Sequence, residues 1–424
     1  MIPVLYRLMG TPFTFQGVMK SSHVELPARL VLAGAYTDTP PQCLMSPGGI
    51  FNIAITVNGK YPIQASVTPI KREYTLEIAS EDQMSSEVFS SWDELYQNME
   101  LDSAIGLHKV CVAVIFDKNL RYKIGHHVQA QEGESAFPCG FRISTRSFLP
   151  KGSGLGASSI LALAIVRALK ESCDLKMSLD KEMNAVLSIE QVLGKILSDI
   201  INAACVFLQN SSICMFQYYM YFISGSGGGW QDQIGALPGC KYTTLESSGY
   251  NVSKVEMDTK HENFLNDRVV CLCTDITRVA QKVLNGVVNK YNHGYSNIVN
   301  ILMSELPTGA TAMKLAFDHF AKVDLEDSHA TEKAIALIGQ QVNIFRQCCE
   351  GLEGKNFLPD SIGKVVNALQ PAIYGCNLMG AGGGGYLVAI RKENWTREEI
   401  LYLSTSVAST CPDLKITLTD VNIV

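Results

Sequence analysis

A glycine-rich segment directly before an apolar, helix-like run is the feature that most constrains the fold of this chain. Residues 149–159 read LPKGSGLGASS, and the apolar residues that follow predict a helix over 158–169. Glycines let the backbone approach a ligand closely, and the first amides of a helix have no acceptor within the helix. The pattern therefore predicts an anion-binding turn at the start of a helix.

Two further glycine-rich segments could bring backbone close to a ligand. Residues 226–233 read SGGGWQDQ and place the carboxylate of Asp232 beside a glycine run, and residues 377–386 read NLMGAGGGGY. The latter segment has apolar residues on both sides, which flexible linkers rarely have. The 149–159 segment does not match the Walker pattern GxxxxGK[ST]. Taken alone it has a purely structural turn as its alternative interpretation.

Alternating and periodic apolar patterns predict an α+β protein. The N-terminal half predicts strands at 22–34, 50–57, 64–69, 73–78, 110–115 and 140–145. The C-terminal part predicts strands at 269–274, 385–390 and 415–419, and helices at 277–288, 298–303, 310–322, 332–348, 361–369 and 397–408. From the change of pattern we predict a poorly ordered lead-in at 1–21, one domain over 22–245 and a second over 246–424.

The overall composition excludes several classes of protein. With 424 residues, 47% of them hydrophobic, the chain is too apolar for a disordered protein and long enough for two domains. A formal net charge of -6 gives no electrostatic signature of nucleic-acid or anionic-membrane binding. Thirteen scattered cysteines predict neither a disulfide framework nor a zinc site. We therefore expect a protein of a reducing compartment, the cytoplasm, with neither nucleic acid nor membrane as a partner.

The three glycine-rich segments, together with PARLVLAGAYTDTPP at 27–41, resemble the motifs of the GHMP kinase superfamily. Within it, the branch of L-fucose kinases and heptose-7-phosphate kinases typically shows PARxDLxGGWSDTPP, GG followed by Asn, GSGLGTSS, GGGWQDQ and GAGGGG. This chain has a counterpart of each, with Gly48, Gly49 and Asn52 as the second. The resemblance covers residues 22–424.

The resemblance implies a two-domain fold and two cofactors. The N-terminal half would be similar to the second domain of ribosomal protein S5, and the C-terminal half would be a ferredoxin-like α+β sandwich. The cofactors would be ATP and Mg²⁺, with Ser158 and Glu190 as the metal ligands. The residues that would bind the ATP phosphates are Pro150, Gly152, Ser153, Gly154, Leu155, Gly156, Ala157, Ser158 and Ser159.

The resemblance also implies catalytic and substrate residues. Asp232 would orient the accepting hydroxyl or take its proton, and Arg29 would lie near the transferring phosphate. The substrate would contact Asp38, Gly48, Gly49, Gly382 and Gly383. These roles suit phosphoryl transfer, in which positioning and charge stabilisation supply most of the acceleration. For Arg29 or Glu190 taken alone, a solvated or salt-bridged surface residue is the alternative.

Three of the family motifs are changed in this chain. The family's Gly-Trp-Ser is Ala35-Tyr36-Thr37 here, so that a methyl group replaces a hydrogen and Tyr36 replaces the aromatic Trp. The family's TGxTR reads TDITR over 274–278, and the Lys common before the last glycine run is Asn377. We expect these changes to affect substrate affinity rather than the reaction type.

A 31-residue segment interrupts the resemblance. In the family the helix that contains Glu190 runs almost directly into GGGWQDQ, whereas here residues 194–224 intervene. The segment has six aromatic residues and only two charged ones, so water would solvate it poorly. Codons for its two ends can form a splice donor and a splice acceptor, and we hypothesise a translated intron. A genuine lid or membrane-contacting hairpin is the alternative.

The resemblance implies a Mg²⁺- and ATP-dependent sugar kinase. Its expected reaction is phosphorylation of the anomeric hydroxyl of L-fucose, in a salvage route to the nucleotide sugar. One alternative is a kinase for heptose 7-phosphate or another small molecule of this superfamily. Another is a catalytically silent binding protein with the same fold, which would follow if 194–224 is real protein and displaces Asp232.

Overall fold

The structure is a computed structural model that describes residues 19–424 with gaps at 40–41, 47, 73, 117–136, 138, 194–228, 247 and 278–279. The segment 194–224 and residues 1–18 of the expected lead-in lie outside the described residues. The remaining lead-in residues are tied to a helix, since the amide of Lys20 donates to the carbonyl of Ser172 at 3.0 Å.

Fourteen strands lie within the described part of the chain. They are β1 (Ser22–Leu26), β2 (Ala28–Ala33), β3 (Gly49–Val57), β4 (Ile63–Pro69), β5 (Leu76–Ser80), β6 (Ser85–Phe89), β7 (Phe141–Ser147), β8 (Cys240–Glu246), β9 (Gly249–Lys254), β10 (Val269–Cys273), β11 (Ile373–Leu378), β12 (Tyr386–Arg391), β13 (Thr417–Thr419) and β14 (Val421–Ile423). The strand predicted over 22–34 is two strands, because Pro27 has no amide hydrogen to continue a ladder.

Thirteen α-helices lie in the same described residues. They are α1 (Gln42–Met45), α2 (Trp92–Gln97), α3 (Gly106–Phe116), α4 (Ala157–Ser172), α5 (Leu179–Leu193), α6 (Gln231–Gly235), α7 (Thr259–Arg268), α8 (Ala280–Asn292), α9 (Ser296–Asn300), α10 (Leu306–Phe320), α11 (Ser328–Glu353), α12 (Asp360–Leu369) and α13 (Arg397–Ala408). A π-helical turn over Ile301–Glu305 joins α9 to α10. None of the helices in the described residues is long and apolar enough to cross a membrane.

The first of two compact units comprises the described residues within 1–26, 62–148 and 158–233. Its five-stranded sheet has the order β1-β4-β7-β5-β6, in which only the β5–β7 pair is parallel. Strand β7 alternates buried with more exposed residues, as expected of a sheet with one covered face. Helix α4 is mostly buried, which explains the apolar run that follows the glycines.

The second unit comprises the described residues within 27–61, 149–157 and 234–424. One antiparallel sheet has the order β11-β12-β10-β13, and in the other sheet the long strand β3 pairs with β2, β8 and β14. Each unit combines three separate segments of the chain. The units therefore do not test the predicted domain boundary between residues 245 and 246. That boundary stays a prediction.

The strand predicted over 110–115 is wrong, because this stretch lies in helix α3. Its residues Val110 to Ile115 are all buried, so no polar position marks the helical period. A short, uniformly apolar run is compatible with either a buried helix or a buried strand. Packing of α3 against α5 decides the conformation, and this contact cannot be read from the local pattern.

Helix α3 also buries a histidine that should make the protein less stable in mild acid. The ring of His108 is 1% exposed, and its Nε2 lies 2.6 Å from the hydroxyl of Thr145. Burial lowers the pKa of His108 from 6.5 to about 4, although the negative charge of Asp82 opposes the shift. Between these values the unfolded chain binds a proton that the folded protein excludes. The free energy of unfolding therefore falls as pH falls from about 6.5 towards 4.

We predict that His108→Gln reduces this acid sensitivity. At pH 5 the histidine costs the wild type about 2 kcal/mol, since each pKa unit corresponds to about 1.4 kcal/mol. Urea unfolding of both proteins at pH 7 and pH 5 measures the effect, and the variant should lose about 2 kcal/mol less. His329→Gln, at an exposed position, is the control. An equal loss in wild type and His108→Gln would contradict the assignment.

Candidate functional site

The first glycine-rich segment forms a turn between β7 and α4, here called the glycine loop (residues 149–156). Gly152, Gly154 and Gly156 have φ angles of +72°, +74° and +81°, in the left-handed region that side chains disfavour. The amide of Ser153 donates to the carbonyl of Pro150 at 3.2 Å, and α4 starts at Ala157. The loop thus has the backbone turn and the adjoining helix start that the sequence predicts.

The last glycine segment (residues 380–385) lies directly against the glycine loop. A Cβ atom added to Gly154 would lie 2.3 Å from the carbonyl oxygen of Met379, and one added to Gly385 would lie 2.5 Å from that of Ser153. The amide of Tyr386 donates to the same Ser153 carbonyl at 3.2 Å. Two motifs more than 220 residues apart in sequence therefore meet backbone to backbone, which only glycine permits.

Several groups of the last glycine segment are occupied by protein contacts. The amide of Gly383 donates to the carbonyl of Phe357 at 2.6 Å, and a Cβ on Gly382 would lie 2.2 Å from the Phe357 ring. The amide of Gly385 donates to the carbonyl of Ile276 at 2.8 Å. These contacts give Gly382 and Gly383 a structural reason to be glycine. Their predicted contact with substrate stays a prediction.

Arg29, on β2, contacts the glycine loop through its backbone and its side chain. The guanidinium Nη1 donates to the carbonyl of Gly154 at 2.5 Å, and the amide donates to the carbonyl of Leu155 at 3.3 Å. The side chain is 2% exposed and lies against Gly235, where a Cβ atom would be 2.7 Å from the Cβ and Cγ of Arg29. A buried arginine is therefore part of the loop's support.

The predicted substrate residues of the N-terminal motifs lie together in the second unit. The hydroxyl of Thr37 lies 2.7 Å from the carbonyl oxygen of Gly34 and 3.3 Å from that of Gly49. A Cβ on Gly48 would lie 2.3 Å from the carbonyl oxygen of Thr37. Asp38, the next residue, is completely buried. The predicted contact of Asp38 with substrate stays a prediction.

Tyr36, which replaces the family's Trp, has an unexpected contact. Its φ of +75° lies in the left-handed region, and its hydroxyl donates to Oε1 of Glu353 at the end of α11. Both side chains are buried. Tyr36 thus anchors its segment to α11 through its phenolic hydroxyl. No motif in the sequence indicated this pair.

The predicted metal ligand Glu190 lies beside a serine in the first unit. The hydroxyl of Ser159 donates to Oε1 of Glu190 at 2.8 Å, and both residues are buried, whereas the predicted ligand Ser158 is exposed. A carboxylate beside a hydroxyl suits Mg²⁺, which prefers oxygen ligands and commonly takes the rest from phosphates and water. Among the described residues no group of three His, Cys, Asp or Glu side chains could hold a metal. Glu190 and Ser159 thus offer oxygen atoms of the kind that Mg²⁺ takes as ligands.

The GGGWQDQ motif is described from Gly229 onwards. Asp232, the predicted catalytic carboxylate, is half-buried in the short helix α6, and its neighbours Trp230 and Gln233 are fully buried. Neither amide atom of Gln233 has a hydrogen-bond partner within the described structure. Buried polar groups in native proteins are nearly always satisfied, so Gln233 has the chemistry expected of a ligand contact.

Sequence reasoning missed Lys241, which lies on β8 and is fully buried. Its ammonium donates to the carbonyls of Gly235 at 2.9 Å, Gly239 at 3.2 Å and Leu237. Burial lowers the pKa of Lys241 to about 7, although three carbonyl acceptors favour its charged form. Lys241 fixes the chain directly after α6. A single lysine in a strand-like stretch gives no sequence signal of this role.

Asn377, where the family commonly has Lys, is completely buried on β11. Both of its side-chain amide atoms lack a hydrogen-bond partner in the described part of the chain. A buried amide of this kind costs free energy unless a ligand or water satisfies it. The departure at this position therefore places a polar group, but no charge, beside the last glycine segment.

Known proteins resemble this chain in sequence and in fold. A family model described as the GHMP kinases N terminal domain matches residues 119–210, which include the glycine loop. An L-fucokinase/L-fucose-1-P guanylyltransferase of Bacteroides fragilis is 27% identical over 372 residues, which cover 87% of this chain and 34% of that protein. A bifunctional fucokinase/GDP-fucose pyrophosphorylase of Arabidopsis thaliana is 25% identical over 386 residues, covering 90% of this chain and 31% of that protein. The chain thus spans about a third of the length of the curated relatives it matches.

A solved structure gives the fold. The crystal structure of a D-glycero-D-manno-heptose 1-phosphate kinase from Bacteroides thetaiotaomicron superposes with a TM-score of 0.56 at 17% identity, covering 95% of this chain and 96% of that one. The chain therefore has the α+β fold of the GHMP kinases, and the resemblance to this superfamily predicted from the motifs is confirmed. In sequence it is similar to fucokinases.

Because the two glycine segments are in contact, we predict that alanine lowers the free energy of unfolding more at Gly154 than at Gly59, although both glycines have the same backbone conformation. Gly59 has a φ of +72° and nothing within 4 Å of an added Cβ, whereas Gly154, with a φ of +74°, faces Met379. Gly59→Ala should lower the free energy of unfolding by about 1 kcal/mol, because a residue with a side chain disfavours the left-handed conformation. Gly154→Ala should cost about 1–3 kcal/mol more, because the clash is with backbone.

Urea unfolding of the wild type and of both variants measures this difference. The expected order of stability is wild type, then Gly59→Ala, then Gly154→Ala. Equal costs for the two substitutions would contradict the close approach of the two segments.

Proposed function

We propose that this protein is a Mg²⁺- and ATP-dependent sugar kinase that phosphorylates the anomeric hydroxyl of L-fucose. The observation that carries the proposal is the glycine loop, whose left-handed glycines lead into the start of α4. The carbonyls of Ser153, Gly154 and Leu155 in this loop accept hydrogen bonds from other groups of the protein. The similarity to fucokinases supports the choice of sugar.

Binding of the nucleotide is assigned to backbone groups of the glycine loop and of the start of α4. The first amides of a helix point along its axis towards the preceding turn and carry a partial positive charge. Such amides suit a polyanion. Gly152, Gly154 and Gly156 have no side chain that would block the approach of a polyanion to the glycine loop. Bound ATP and Mg²⁺ would supply the phosphoryl group and part of the charge that stabilises its transfer.

The remaining roles follow the family motifs. Glu190 and a serine hydroxyl of residues 158–159 would hold the metal, and Asp38 with Gly48 and Gly49 would bind the sugar. Asp232 would orient the accepting hydroxyl and take its proton. The resemblance implies that Arg29 lies near the transferring phosphate, a role for which we propose an alternative below.

The segment 194–224 is part of the proposal because it separates Glu190 from Asp232 in sequence. We propose that it derives from a retained intron and that the active enzyme joins Leu193 directly to Gly225. Sequencing the transcript decides this, since a spliced message should lack these codons in frame. Active protein made from a message that retains the segment would contradict it.

We predict that ADP release by the purified protein is fastest with L-fucose among L-fucose, D-arabinose, galactose and heptose 7-phosphate. The assay uses the full chain and the chain without 194–224. A higher kcat/KM with heptose 7-phosphate would favour the alternative substrate class. No ADP release with any sugar from either protein would favour a binding protein of the same fold.

Asp232→Asn tests the assigned base. The amide cannot accept a proton, so kcat should fall by about 10²–10⁴ while the affinity for ATP stays within a factor of about three. Asp413→Asn, at an exposed position, serves as the control and should leave both quantities unchanged. Wild-type kcat in Asp232→Asn would remove this residue from the mechanism.

A further inference from the structure

We propose that Arg29 is a positioning residue that holds the glycine loop in its anion-binding shape from the side opposite the ligand. This inference rests on the proposed function, since it takes the loop as the phosphate site. It differs from the family-derived role, in which the guanidinium contacts the transferring phosphate.

A loop that binds an anion through its amides has to direct its carbonyls elsewhere. The amide hydrogen and carbonyl oxygen of one peptide point in nearly opposite directions, so converging amides leave carbonyls on the far side. Buried carbonyls need hydrogen-bond donors, or the loop loses free energy in this conformation. The donors behind such a loop are therefore as necessary to it as the glycines within it.

Three consecutive carbonyls of this loop have donors on strands of the second unit. The carbonyl of Ser153 accepts from the amide of Tyr386, the first residue of β12, at 3.2 Å. The carbonyl of Gly154 accepts from the Arg29 guanidinium at 2.5 Å, and that of Leu155 from the Arg29 amide at 3.3 Å. Arg29 supplies two of the three donors.

The guanidinium of Arg29 is itself held in place. Arg29 lies opposite Ala54 in the β2–β3 ladder, and the aliphatic part of its side chain packs against Gly235. The carbonyl of Gly235 accepts from the buried ammonium of Lys241 at 2.9 Å. Arginine is also suited to the task chemically, because it stays protonated when buried and directs several donors from one plane.

Arg29→Met and Arg29→Lys test the proposal, with Arg268→Met as the matched control. Arg268 is also buried, but its guanidinium pairs with Glu332. The first measurement is the Kd of ADP by titration calorimetry, because ADP lacks the transferring phosphate. The second is amide hydrogen exchange of a peptide that covers residues 149–157, in the protein without nucleotide.

Loss of a charged hydrogen bond typically weakens what it supports by about tenfold or more. We therefore expect Arg29→Met to raise the Kd of ADP by about tenfold and to speed exchange in the loop peptide. Arg29→Lys, which keeps a charged donor, should recover most of both properties. Arg268→Met should change neither. If Arg29→Met does not fold, Arg29→Lys should still show a smaller loss in the same two measurements.

Two results would overturn the inference. Unchanged loop exchange and ADP affinity in Arg29→Met, with a fall in kcat alone, would mean that Arg29 acts on the transferring phosphate. Equal effects in Arg268→Met would mean that any buried arginine matters to the same degree. A third result would separate the two proposals. If the protein binds no nucleotide but the loop peptide still exchanges faster in Arg29→Met, Arg29 supports the loop and the proposed function is contradicted instead.

Discussion

The backbone contact between the glycine loop and the last glycine segment is the constraint on which the rest of the site depends. Their approach leaves no room for a Cβ atom at Gly154 or Gly385, and it carries the hydrogen bond from Tyr386 to Ser153. Because the last glycine segment leads directly into β12, the loop is attached to a sheet rather than to solvent-exposed chain. A rigid support of this kind keeps backbone donors in place before a ligand binds, which reduces the ordering cost of binding.

Several polar residues of the predicted site motifs are completely buried. Asp38, Gln233 and Asn377 are completely buried, and burial of such groups is costly unless hydrogen bonds compensate. A protein selected for stability alone would gain by replacing some of them with apolar residues. Within the described residues the side-chain amides of Gln233 and Asn377 have no hydrogen-bond partner, which is expected where a fold gives up stability for function.

The turn of the glycine loop could be predicted from sequence because it is a backbone feature. Glycine at 152, 154 and 156 is needed for positive φ, so spacing alone indicated the turn. The strand predicted at 110–115 was wrong, since a uniformly apolar run has no period. The supports of the site were not predictable: Lys241 and the Tyr36–Glu353 pair act through contacts that the local pattern does not contain. Residues 194–224 stay a matter of sequence inference.

The central claim is that backbone amides of the glycine loop bind the phosphates of a nucleotide. A crystal structure of the protein with a non-hydrolysable ATP analogue and Mg²⁺ tests it most directly. The account predicts β- and γ-phosphate oxygens within about 2.7–3.2 Å of amide nitrogens between residues 152 and 159. A triphosphate bound at another place, with these amides turned away from it, would contradict the account.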